Sequence, residues 1–311
     1  MSVAENMKTH GGRKLHDGMI KSKKTRTEDL IIAGICFLLM LVCLIPMLHV
    51  LASSLSSTGA LVRNDVFIWP DGLNFDAYQK VLAEPKNVRA LGWTAGLTAV
   101  CTLLSITLTI CAAYPLIYPN LKGGKLISLF FLLTMYFSAG TIPNYLLLSS
   151  MGMIDTPYVL IFPNCISVFN VIIMRSFFYG VPDSLREAAE IDGAGPIRVL
   201  FKVYLPLSLP VIATLSLFYA VGRWNGFSDA LMYLTPKGEA YYPIQLRLYY
   251  VLQNATNTAQ QAAQESGPSQ PGLAKTVQMA TVMFATVPIL LVYPWLQRYF
   301  VTGVTIGAVK G

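Results

Sequence analysis

Residues 181–206 read VPDSLREAAEIDGAGPIRVLFKVYLP, a polar stretch between apolar runs long enough to span a membrane. It holds four acids, Asp183, Glu187, Glu190 and Asp192, and three bases, Arg186, Arg198 and Lys202, with Arg175 just upstream. Pro182 and Asp183 suit the approach to a helix. Ser184 and Glu187 have the S-x-x-E spacing of a capping box, in which two side chains satisfy free N–H groups at a helix start. Gly193 suits the end of that helix. Gly195-Pro196 then forces a break before a second short helix enters the apolar run at Leu205. The stretch reads as a rigid, charged helix–turn–helix elbow outside the bilayer. Any connection between two spans must be polar, so the elbow alone marks a place rather than a role.

The composition agrees with a membrane setting. Of 311 residues, 54% are hydrophobic and 13% charged, about half the ~25% charged share of a soluble domain. A polytopic membrane protein follows. The net charge of +7 does not point to nucleic acid, because the bases crowd the N-terminal tail instead of interleaving with aromatics on a folded face. Cys36, Cys43, Cys101, Cys111 and Cys165 all fall in apolar runs without metal-ligand spacing, and read as small core hydrophobes.

Residues 1–29 form a basic tail with Lys8, Arg13, Lys14, Lys21, Lys23, Lys24 and Arg26. The apolar run 30–52 is too long for a signal peptide's core, and Pro46 and His49 make its end a poor cleavage site. It reads as an uncleaved first span. Residues 53–89 make an outer loop with a short amphipathic helix near 75–82. Further spans are expected at 90–114, at 126–148 with interruptions at Gly140 and Pro143, and at 158–178, 205–221 and 276–301. The permease domain thus covers 30–301, with the elbow at 181–204 and a terminal tail at 302–311. Residues 222–234, GRWNGFSDALMYL, either continue span five with polar groups facing inward or open an outer loop, 236–275. The Gln/Ala/Asn/Ser/Pro-rich piece 253–271 reads as a mobile insertion. With both termini and the elbow inside, fifteen bases lie on the inner side and eight on the outer. The positive-inside rule therefore places the elbow in the cytoplasm.

The chain holds no Walker A loop, G-x-S-x-G or H-E-x-x-H, and His10, His16 and His49 are scattered. An enzyme is not expected, and energy must come from a partner. Intramembrane acids for ion coupling and repeated halves are missing, which argues against a secondary transporter. Six spans with few internal charges make a thin path for a large polar solute, so a second permease subunit is expected.

The string Glu187-Ala188-Ala189, three residues, Gly193, nine residues, then Val203-Tyr204-Leu205-Pro206 resembles the EAA signature of ABC importer permeases, and Asp192-Gly193-Ala194 fits it too. Thr141-Ile142-Pro143, the run 152–158 (GMIDTPY), Gly222-Arg223-Trp224-Asn225 and the tail 307–311 (GAVKG) resemble the MalG branch of carbohydrate permeases, most nearly its Lpl-type members. The resemblance implies an all-α membrane protein with the six-helix type I importer fold. It also implies a second, non-identical permease, an extracytoplasmic sugar-binding protein, and two ATPase subunits that carry ATP and magnesium; no cofactor is implied in this chain. The elbow becomes a coupling helix docked in a groove on the ATPase. Leu185, Glu187, Ala188, Ala189, Asp192, Gly193, Ala194 and Pro206 are then the contact residues.

Within that reading, Leu185, Ala188, Ala189 and Ile191 form a small apolar face. Glu187 either caps its own helix or pairs with a base on the ATPase. Gly307, Val309 and Lys310 make a second ATPase contact or a frayed end. Tyr219, Trp224, Asn225 and Asp229 line the solute path or pack against a partner. The solute is a sugar or oligosaccharide, with an amino acid or peptide as the alternative that the shared elbow leaves open.

Overall fold

Within lipid, only helices and closed barrels satisfy every backbone group internally. The computed structural model describes the backbone over 23–264 and 271–308, and side chains over 28–254, 275–292 and 294. The described residues form helices and turns, without a strand.

The chain divides into two units between His49 and Val50. The first holds the body of α1 (Lys23–Ser54), whose most apolar window has no buried residue, as suits a lipid-facing helix. Pro46 lies inside this helix without ending it.

The second unit opens with two short helices, α2 (Thr58–Arg63) and α3 (Asp76–Ala83), followed by α4 (Pro85–Ala113). The α4 helix is its axis. Ala90, Thr94, Leu97, Cys101, Ser105, Thr109 and Ala113 are buried along one face at three- and four-residue steps. Their small side chains let neighbouring backbones come close. Thr94 Oγ1 donates to Ala90 O at 2.7 Å and accepts the Ile244 N–H at 2.8 Å.

The remaining helices are α5 (Gly124–Tyr136), α6 (Thr141–Ser150), α7 (Tyr158–Ile161), α8 (Val168–Tyr179), α9 (Asp183–Ile191), α10 (Pro196–Val199), α11 (Leu205–Leu207), α12 (Leu209–Asn225), α13 (Ser228–Tyr233), α14 (Ile244–Gln264) and α15 (Pro271–Ala308). Two cores flank α4. One gathers Tyr114, Val171, Met174, Phe178, Val199 and Tyr204 at the elbow end. The other gathers Leu97, Leu148, Leu160, Leu234 and Leu246 at the opposite end.

Among the described residues, three helices are long and apolar enough to cross a membrane, or up to five if each of two bent pairs is one span; α8 is a shorter apolar helix. Helices α5 and α6 meet at 113°, with Gly140 at φ +88° in the break, where the interruption was expected. The expected span 158–178 is also broken, at 162–167. Pro163 has no N–H to give and crowds the preceding turn. The helix restarts at Ser167, whose Oγ accepts the Asn170 N–H at 3.4 Å.

Span five enters through a corner. The segment Pro196–Leu207 meets α12 at 82°. Within that segment, Leu200–Tyr204 is a π-helical turn in which the Leu205 N–H reaches back to Leu200 O. Pro206, lacking an N–H, cannot complete an ordinary α-turn there. Helix α12 runs to Asn225, so the first four residues of 222–234 continue span five.

Three expectations need correction. The piece 253–271 is not wholly an irregular insertion: α14 continues through 253–264, where Gln and Ala favour helix and no Gly or Pro intervenes; 265–270 lie outside the described residues. The capping box at Ser184 and Glu187 does not form. Pro182 takes the N-cap position of α9, which has no side-chain cap, and Ser184 falls within the helix. Asp183 in the first turn supplies the favourable interaction with the helix dipole instead. Helix α15 extends to Ala308, beyond the expected span end at 301.

Candidate coupling elbow and solute cleft

The elbow is seated on a nest of aromatic rings. Tyr114, at the end of α4, packs edge-on against Phe178 and Tyr204 with centroids 6.2 and 5.4 Å away. Its hydroxyl donates to Pro196 O at 2.8 Å and lies 2.6 Å from the Tyr118 hydroxyl. Arg186 of α9 stacks over the Tyr118 ring at 5.5 Å and pairs with Asp183 at 3.1 Å. Ala189 and Ala194 also turn inward, against the core that contains Val199 and Tyr204. Both halves of the elbow are therefore fixed to the ends of α4 and α8.

The outward side differs. Leu185, Ile191, Ile197 and Phe201 are 45, 86, 74 and 63% exposed. Ala188, Glu187 and Asp192 are exposed as well, and the Glu187 side chain has no hydrogen-bond or ion-pair partner among the described residues. Thus the expected apolar face is split: Leu185, Ala188 and Ile191 point out, while Ala189 supports the fold.

Gly193 ends α9 with φ +77°. Its N–H bonds to Glu190 O at 3.0 Å, and the Ala194 N–H bonds to Ala189 O at 2.9 Å. This pair of bonds is a Schellman stop, which needs a left-handed residue at that position. A Cβ on Gly193 would meet nothing within 4 Å. Pro206 is exposed at the corner below. Gly307 lies in the last turn of α15, and Val309 and Lys310 lie outside the described residues.

A cleft of about 690 Å³ opens beside α4, bounded by the break between α7 and α8 and by α12. Tyr219 is its tie. The Tyr219 hydroxyl lies 2.7 Å from Thr109 Oγ1 and accepts the Ser167 N–H at 3.1 Å, joining three elements. Asp229 also lines the cleft, paired with Arg223 through both carboxylate oxygens, the longer contact at 3.0 Å. Arg223 further donates to Leu160 O and Gly226 O, both at 3.2 Å. Trp224 does not line the cleft: its indole N–H donates to Ala285 O of α15 at 3.2 Å. Asn225 ends α12 exposed. The cleft instead recruits Asn164, Ser167, Asn170 and Ser105, which sequence reading missed. The signal was present in Pro163 and the polar residues following it inside an otherwise apolar run.

A helical membrane component with broken spans, a polar cleft and an elbow anchored to its core has the architecture of a transport permease. The chain belongs to the family of binding-protein-dependent transport system inner membrane components, which it matches over residues 90–306. It is 36% identical over 288 residues to the polygalacturonan/rhamnogalacturonan transport system permease protein YtcP of Bacillus subtilis (strain 168), covering 93% of this chain and 100% of YtcP. It is 39% identical over 272 residues to the LplC protein of the same organism, covering 87% of this chain and 90% of LplC. Among solved structures it resembles a chain of a bacterial ABC transporter involved in import of the acidic polysaccharide alginate. There the TM-score is 0.80 at 29% identity, covering 90% of this chain and 98% of that one.

Proposed function

We propose that this chain is a translocation subunit of an ATP-driven importer, passing an oligosaccharide delivered by an extracytoplasmic binding protein. The saccharide class is supported by the transport named for YtcP and for the alginate importer. The observation that carries the coupling role is the two-sided elbow. Its inner residues are locked to α4 and α8, while four large apolar side chains face outward. Apolar surface gathered on an extramembrane element is a docking surface.

In this reading the chain crosses the membrane six times, as α1, α4, α5–α6, α7–α8, α12 and α15, with both termini and the elbow in the cytoplasm. A second, unlike permease completes the path, and two ATPase subunits hold ATP and magnesium. Leu185, Ala188 and Ile191 enter a groove on the ATPase, and Glu187 is free to meet a base there. Closure of the ATPase pair pushes α9, and the aromatic nest passes the push to α4 and α8, which wall the cleft. Gly307, Val309 and Lys310 offer a second contact on the same side.

Affinity-tagging the chain and purifying it from detergent tests this directly. The wild type is expected to bring down a second permease and an ATPase. Ala188→Glu, on the outward face, is expected to keep the permease and lose the ATPase. A chain that purifies alone and moves solute into liposomes without ATP is not an importer subunit.

A further inference from the structure

Asn170 is 5% exposed in the first turn of α8, between Phe169 and Val171. Its backbone N–H is held by Ser167 Oγ at 3.4 Å, so Ser167, and not Asn170, caps the helix. The side-chain amide makes no hydrogen bond among the described residues, yet it is not sealed in, because it lines the cleft. An amide brings two N–H donors and a carbonyl acceptor. Left without partners in so little water, it costs stability that a leucine there would not. Polar groups kept within a membrane segment at such a cost mark the path of a solute.

Ser105 of α4 repeats the pattern. It is 1% exposed, lines the same cleft, and its hydroxyl makes no hydrogen bond among the described residues. The Tyr219 tie brings the two residues to one wall. Its hydroxyl meets Thr109, one turn beyond Ser105 on the same face of α4, and the N–H of Ser167, one turn before Asn170. The hydrogen-bonding capacity left free at this wall is thus an amide and a hydroxyl, both neutral. The charged residues that line the cleft, Arg223 and Asp229, are spent on each other.

Aromatic surface lies beside these groups. Phe169 and Phe218 line the cleft and are exposed, each next in sequence to a polar lining residue, Asn170 or Tyr219. The volume of about 690 Å³ falls within the ~300–1,000 Å³ of pockets that enclose small organic ligands. Neutral donors and acceptors beside open phenyl rings match a pyranose, which offers neighbouring hydroxyls along its edge and an apolar C–H face to cover a ring.

We propose that Asn170 and Ser105 form a subsite for one sugar ring, which recognises a pair of neighbouring hydroxyls and is indifferent to the ring's charge. This rests on the saccharide-import reading above and deepens it. The amide carbonyl accepts from one hydroxyl, the amide N–H donates to the next, and the Ser105 hydroxyl completes the set. The test is saturation-transfer NMR on the complete importer in nanodiscs, without its binding protein. The probes are methyl β-galactopyranoside, its 2,3-di-O-methyl derivative and methyl β-galactopyranosiduronate. Wild type is expected to bind the galactoside and the uronate alike, and the dimethyl derivative, which has lost both donors, about tenfold more weakly. Asn170→Leu is expected to weaken the first two about tenfold. Asn170→Asp, nearly the same in shape, is expected to keep part of the affinity for the galactoside and to lose the uronate by charge repulsion, a split that a merely structural role would not produce.

Unchanged binding in Asn170→Leu, or a dimethyl derivative held as well as the galactoside by the wild type, overturns the subsite. So does an equal loss of galactoside and uronate in Asn170→Asp, which makes Asn170 a packing residue, or wild-type binding of the uronate alone. Absence of transfer to every saccharide also overturns it and leaves import by the complex standing. If glycylglycine shows transfer in their place, the saccharide reading falls as well.

Discussion

Arg223 and Asp229 set the character of the cleft. Their side chains are 8 and 15% exposed, and each oxygen of Asp229 meets a guanidinium nitrogen. Taking the carboxylate away leaves a buried charge without its match, a change that costs about 3 kcal/mol or more. Asp229→Asn is therefore expected to lower the melting temperature of the detergent-purified chain by several degrees. Arg223→Gln combined with Asp229→Asn should recover much of the loss, and a single variant as stable as wild type would show that the Leu160 and Gly226 carbonyls suffice. Of the residues nominated from the sequence, Tyr219 and Asp229 do line the cleft, as polar groups beside an apolar span need a reason. Trp224 was not separable from them, since an indole suits a sugar face and a helix interface equally well; the bond to Ala285 decides it. Nor could residue type distinguish Ala188 from Ala189, which a 100° step of the helix sends to opposite sides.

At the scale of the element, α9 is a nine-residue helix that must stop sharply so the chain can turn into the bilayer. Gly193 makes that stop, and its open surroundings mean that a side chain there meets only backbone strain. Gly193→Ala is expected to destabilise the turn by about 1 kcal/mol. The effect would be read as faster amide exchange across Arg186–Ile191 without a change in the rest of the chain; unaltered exchange would mean that the two Schellman bonds do not limit the helix. The glycine was legible because a left-handed stop has few alternatives. The start of α9 was not, because Pro182 offers an N-cap with fixed φ two residues before the S-x-x-E match can act. Gly140 announced the break in span three, while the break in span four depended on Pro163, whose effect is hard to foresee in lipid, where neighbouring helices often repair a proline's lost bond.

Across the described residues, hydrophobic run lengths foretold nearly every apolar helix. The bends were not foretold, because 113° and 82° corners are settled by packing between distant segments rather than by local propensity. The proposed topology has a direct test. In a background with the five native cysteines replaced by serine, Lys237→Cys is expected to react with a membrane-impermeant maleimide on spheroplasts, and Ser184→Cys only after permeabilisation. The reverse pattern overturns the assignment of the elbow to the cytoplasm. The bidentate Arg223–Asp229 pair bears on how the carrier meets the cell's voltage. An unpaired charge moved through 100 mV changes energy by about 2.3 kcal/mol, whereas these two residues travel together as one neutral unit. If the cleft reorients as the proposed importer requires, this pair carries no net charge across the membrane potential.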